Sequence, residues 1–151
     1  MLSFYQWVKR INKFLFKLSI KEKLLFIEAF FLTGLMRAKI LKVPFNKLKK
    51  ELGTYNTESA DDVVLDDYKI AKIVRDVVVT ISKFTPWESL CLVQAMTVQR
   101  MLKKRGISTT IYLGVNKENK NMVAHAWIRC GNMFVTGGDG SGYATVAKFS
   151  N

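Results

Sequence analysis

The chain has 151 residues, 49% of them apolar and 24% charged, with a formal net charge of +12. That length suits one domain, residues 1–151, with a core that buries roughly 70% of the unfolded surface; two prolines and nine glycines argue against a long disordered segment. Two cysteines, Cys91 and Cys130, make no disulfide framework, and no secretory signal is visible, so the expected setting is a reducing cytoplasm with free thiols.

The charge is uneven. Residues 1–52 hold twelve Lys/Arg against three acids, 53–84 four against six, and 85–151 eight against three. A basic amino-terminal half fits an acidic peptide, an anionic lipid surface or nucleic acid, or is simply a solvated face. Residues 4–17 alternate aromatic and basic side chains, with Phe4, Tyr5, Trp7, Phe14 and Phe16 among Lys9, Arg10, Lys13 and Lys17. This is the pattern of an amphipathic helix whose aromatic face enters the core, docks on a partner or lies on a membrane.

Ser19-Ile20-Lys21-Glu22 is a capping box and starts a second helix, which runs to about Lys42 and ends at Val43-Pro44. Within it Leu24 to Met36 is apolar apart from Glu28, Thr33 and Gly34, too short and interrupted for the roughly 20 residues of a spanning helix. A short turn or helix over 46–52 and a loop from Gly53 to Ser59 follow. Asp61-Asp62 then precede Leu65, Tyr68, Ile70, Ile73, Val74 and Val77, a helix with acids in its first turns where the dipole favours them.

After a break at Lys83 to Pro86 comes the helix on which the chain is organised. Two caps are available: Thr85, with Pro86 first inside and Glu88 three residues on, or Ser89, which puts Cys91 in the first turn. Either helix runs to Arg105 and closes at Gly106. The periodicity then changes to two. Ile107 to Val115 is a strand, Asn116 to Asn121 a polar turn, Val123 to Cys130 a second strand, Gly131-Asn132 a tight turn and Met133 to Thr136 a third strand. Gly137 to Gly142 reads as a flexible loop, and Tyr143 to Phe149 as a last strand. The fold class is therefore α+β: helices over 1–84, then a Cys helix and an antiparallel sheet over 85–151.

Cys91 on a helix, His125 on a strand and Asp139 on the next strand form an order that suits nucleophilic catalysis. A thiol must ionise to attack an amide, free cysteine has a pKa of about 8.5, and a helix start with an imidazolium beside it stabilises the thiolate. Asp139 is the candidate to hold the imidazole. A two-residue turn at Gly131-Asn132 places His125 opposite Gly138, so an Asp139 role needs a longer loop, a bulge or a turn at the glycines. A lone cysteine in an apolar helix is also ordinary core packing, and a strand histidine beside a tryptophan an ordinary structural residue. Cys130, at a hairpin end, is the poorer nucleophile. No CxxC-type spacing supports a metal site, and no P-loop or dinucleotide fingerprint is present, so no cofactor is expected.

Trp87-x-x-x-Cys91-Leu92-x-x-Ala95, Leu102-x-x-x-Gly106-Ile107, Tyr112-x-Gly114-Val115, Ala124-His125-Ala126-Trp127-Ile128 and Thr136-Gly137-Gly138 together resemble the lasso-peptide leader peptidases. These are cysteine proteases of transglutaminase-like, papain-related fold. The resemblance covers 85–150 closely and 20–52 in character only. It implies removal of a leader peptide from a ribosomally made precursor, with Cys91 as nucleophile, His125 as general base and Asp139 as third member. It also implies a separate small leader-recognition protein, since the chain has no room for a fused one, and a separate ATP-using macrolactam cyclase. Nucleic acid is not an expected partner, and a membrane surface is the lesser alternative to a protein. The rival readings are a peptidase-like binding module without chemistry and a transglutaminase-like acyltransferase in which an amine takes the acyl group.

Overall fold

The computed structural model describes residues 4–151, without the side chains of Phe4, Trp7, Arg10, Ile11, Phe14 and Leu15. Helix α1 spans Phe4–Leu15; most of the aromatic face expected for it, on Phe4, Trp7 and Phe14, lies outside the described residues. Helix α2, Ile20–Lys42, starts on the capping box: the Glu22 N–H donates to the Ser19 hydroxyl at 3.3 Å and the Ser19 N–H to the Glu22 carboxylate at 2.8 Å. It stops at Val43, whose extended backbone is what the following proline demands. Helix α3 is Phe45–Glu51.

The loop after α3 opens with β1, Thr54–Tyr55, a two-residue strand that the sequence did not announce. Helix α4 is Leu65–Ser82, with Asp66 and Asp67 as the acids of its first turn, and Asp61-Asp62 precede it. Asp61 is 2.8 Å from the Arg129 guanidinium, which draws it out to the sheet. Helix α5 is Cys91–Lys103. It closes with Ile107 N–H to Leu102 O (3.0 Å) and Gly106 N–H to Lys103 O (3.0 Å), a Schellman closure that needs the left-handed φ of Gly106, +75°.

The sheet holds β1 and four longer strands: β2 Thr110–Glu118, β3 Asn121–Cys130, β4 Met133–Thr136 and β5 Ala144–Ser150. Its order is β1-β5-β2-β3-β4, and each paired neighbour is antiparallel. The β2–β3 turn is tighter than the expected six-residue polar turn. Pairing runs out to Glu118 and Asn121, and Asn119 and Lys120 make the turn at positive φ. Helices α2, α4 and α5 cover one face. Their Ala29, Met36, Val74, Val78, Val98 and Met101 form one core with Ile111, Ala126, Ile128, Cys130 and Phe149 of the sheet. Among the described residues no helix is long and apolar enough to cross a membrane.

Candidate active site

Cys91 is the first residue of α5. Leu90 holds the cap position, without a side-chain hydrogen bond. Neither expected cap is used. The Thr85 hydroxyl bonds Ser82 O, Trp87 O and the Ser89 hydroxyl within the approach segment, and the Ser89 carbonyl accepts from the Gln94 side chain. Trp87 anchors that segment. Its indole lies against Gly34 so closely that a Cβ there would come within 2.9 Å of the ring, and its N–H donates to the Thr33 hydroxyl at 3.3 Å. Phe30 packs on it at 5.0 Å. Arg37 ties Glu88 to the same helix at 2.6 Å. The chain is thus delivered to Cys91 from a fixed platform on α2, and the first amides of α5 have no partner within the helix.

Cys91 is half-buried. It lines an open cleft of about 290 Å³ with Phe45, Leu92, Leu113, Val115, Ala124, Ala126 and Val146, and Gly114 and His125 also line it. The walls are almost wholly apolar. Phe45 is the first residue of α3, so the amino-terminal half contributes to the cleft.

His125 stands on β3 opposite Gly114. Strand alternation sets it with Trp127 and Arg129 on the face away from α5, while Ala126 and Ile128 face the helix. Its ring stacks on Trp127 at 6.0 Å and packs against Tyr143 at 4.8 Å. Gly114 has no room for a side chain there, since a Cβ would come within 2.7 Å of the Trp127 ring. The imidazole Nε2 is 2.7 Å from the Gly137 carbonyl oxygen. A carbonyl only accepts, so Nε2 carries the proton and the lone pair of the neutral ring is on Nδ1. Among the described residues no hydrogen bond joins the imidazole to the Cys91 thiol, and the imidazole faces away from α5.

The register explains where Asp139 goes. The turn has two residues and pairs Cys130 with Met133, but a bulge follows, so that Ile128 faces Thr136. The strand ends there. Gly137 and Gly138 take positive φ, +82° and +70°, and turn the chain before it passes His125. The Asp139 carboxylate is exposed and accepts from the Ser141 hydroxyl at 2.6 Å and the Ser141 N–H at 2.9 Å. Those bonds hold its pKa below the ordinary aspartate value. Residues 137–142 form a loop of turns, with Tyr143 N–H returning to Gly140 O at 3.0 Å. Sequence reasoning missed the Gly137 carbonyl because a backbone acceptor has no side-chain signature. A glycine just past a strand end was the one available sign.

Cys130 is fully buried, and burial is the main cause that pushes its thiol pKa up. Among the described residues no cluster of His, Cys, Asp and Glu is arranged to hold a metal ion.

A cysteine at the start of a helix, packed on an antiparallel sheet whose neighbouring strand carries a histidine, defines an α+β fold of the papain-related kind. Residues 42–150 match the transglutaminase-like superfamily, and the chain belongs to it. Members of that superfamily are typically cysteine-dependent enzymes, papain-like proteases or acyltransferases. The match begins before α3, so it takes in Phe45 and α4 as well as the Cys helix and sheet. No curated protein and no solved structure matched the chain.

Proposed function

We propose that the protein is a cysteine peptidase that removes the leader from a ribosomally made lasso-peptide precursor and frees the core amine for macrolactam closure. The observation that supports the reading is the placement of Cys91, half-exposed at the first position of α5 on an apolar cleft, in a chain of the transglutaminase-like superfamily. In the proposed reaction His125 Nδ1 takes the thiol proton and the Cys91 sulfur attacks the scissile carbonyl. The amides at the start of α5 face the developing oxyanion. The imidazolium then gives its proton to the departing core amine, leaving the leader as a thioester on Cys91. Water, deprotonated by His125, releases the leader as a carboxylic acid. In this structure the imidazole packs on Trp127 and Tyr143 and faces away from α5, so the scheme requires β3 to bring it round to the thiol when substrate binds; a substrate complex that leaves the two apart removes His125 as the base.

Asp139 acts in this scheme as a positioning residue. Its bonds to Ser141 shape the turns that present the Gly137 carbonyl to His125. The proposed partners are the precursor leader, a separate small leader-recognition protein and the ATP-dependent cyclase, in the cytoplasm.

The test is incubation of the purified protein with a candidate precursor and its leader-recognition protein, with product masses read out. Cleavage should give leader and core differing from the precursor by one water. Cys91→Ala should abolish it with the fold intact, and Cys130→Ala should retain most of it. Iodoacetamide should label Cys91 well before buried Cys130. Cleavage by Cys91→Ala would sink the assignment. A product in which an amine has replaced water would move the protein to the acyltransferases.

A further inference from the structure

Away from the cleft, α2 presents an apolar stripe to solvent. Ile20, Leu24, Ile27, Phe31 and Leu35 are between 48% and 76% exposed. Their spacing of four, three, four and four places them on one face, in a line about 22 Å long at 1.5 Å per residue. A helix whose opposite face already supplies Phe26, Ala29 and Met36 to the core has no folding reason to carry a second apolar face.

The stripe runs into a second feature. Leu35 and Met36 form one wall of a cavity of about 360 Å³ between α2, the end of α3 and α5. Lys39, Lys50, Arg100 and Lys103 all line it, against one carboxylate, Glu51, which is already paired with Lys39. Among the described residues no ion pair neutralises Lys50, Arg100 or Lys103. Lys21 and Lys23 stand at the amino end of the stripe and Lys42 beyond its carboxy end.

We infer that this surface binds an acidic amphipathic helix: its apolar side chains lie along Ile20 to Leu35 and its carboxylates reach into the cation-lined cavity. Charge complementarity selects this occupant. A second copy of the chain would bring the same basic rim against this one, with twelve Lys/Arg to three acids over residues 1–52. A flat bilayer covers a stripe but does not enter a concave cavity. A stripe one side chain wide over four turns is the seam that one partner helix fills.

The surface can be tested without turnover, so its failure is separable from failure of the thiol chemistry. The probe is a fluorescein-labelled peptide of about 18 residues, five helical turns, with Leu at heptad positions and Glu on the flanks. Binding is read by anisotropy to the Cys91→Ala protein. Saturable binding is expected, weakening as salt rises. A scrambled peptide of the same composition, and one with Lys in place of Glu, should bind at least roughly ten-fold more weakly. Phe31→Ser should weaken binding about ten-fold with the salt dependence kept. Arg100→Ala with Lys103→Ala should weaken it similarly and flatten the salt dependence. Equal binding of the scrambled peptide, or none of the Glu peptide, overturns the inference. So does capture by phosphatidylglycerol vesicles that the Glu peptide does not displace, or a dimer in sedimentation equilibrium that Phe31→Ser abolishes.

Discussion

His125 has one ring nitrogen fixed by a backbone carbonyl, and that decides how two neighbours should behave on substitution. Gly137 takes φ +82°, and a Cβ there would sit 2.3 Å from the Ala126 carbonyl oxygen. Gly137→Ala must therefore move the carbonyl that holds Nε2. In the proposed reaction, with His125 as base, turnover should then fall by about two orders of magnitude, the lower range of what a positioned base contributes, with KM little changed. Asp139 separates two roles. Asparagine keeps an oxygen that can accept from Ser141, so Asp139→Asn should cost less than about ten-fold, and Asp139→Ala clearly more, if the residue acts through the turn. A loss of about two to four orders with Asp139→Asn would instead make the carboxylate the direct partner of the imidazole.

At the scale of elements, α2 holds α5 at both ends. Trp87 and Arg37 fix the approach to Cys91, and Glu28 bonds Arg105 at 2.8 Å and Lys104 at 3.3 Å at the far end. Partial burial would raise the Glu28 pKa, but the two cations outweigh it and hold the carboxyl below the ordinary value of 4.5. A carboxylate depressed in the folded state adds stability above its unfolded value and loses it as pH falls through the folded one. Thermal stability should therefore decline from about pH 4.5 downward. Glu28→Gln should lower Tm by a few degrees at pH 7, on the scale of 2–4 °C per kcal/mol, and by much less at pH 3. An equal loss at both pH values would show that the ion pair is not the cause.

For the molecule as a whole, the back of the sheet is closed by Arg129. Its guanidinium, 8% exposed, reaches Asp61 at 2.8 Å, the Tyr112 hydroxyl at 3.0 Å and the Ser59 carbonyl at 3.1 Å, and also bonds Gly131 O. One side chain thus joins the loop before α4, strand β2 and the β3–β4 turn. Arg129→Met should cost about 3 kcal/mol in urea unfolding, because buried carbonyls lose their donor. The hairpin that carries His125 and Gly137 should lose amide-exchange protection first. Unchanged protection there would confine Arg129 to the loop.

The sequence by itself determined whatever local chemistry writes. The Ser19 capping box, the Val43-Pro44 stop, the Gly106 closure and the two-residue Gly131-Asn132 turn stand in the structure as read. The change from helical to two-residue period marked the α+β order, and Cys91 stands on a helix and His125 on a strand as read. The remainder depended on contacts distant in the chain. Thr85 is a good cap by type, yet α5 starts at Cys91, because Trp87 and Glu88 are held on α2 and the Thr85 hydroxyl is bonded within the approach segment. Asp61 has the composition of a helix start, but Arg129, 68 residues later, takes it to the sheet. The third group near His125 depended on one bulge and two left-handed glycines, and a backbone carbonyl stands where a carboxylate was expected. A side-chain pattern records which residues prefer burial, a cap or a turn. It does not record which backbone atom a turn will present, since that is fixed by register and by the elements packed around it.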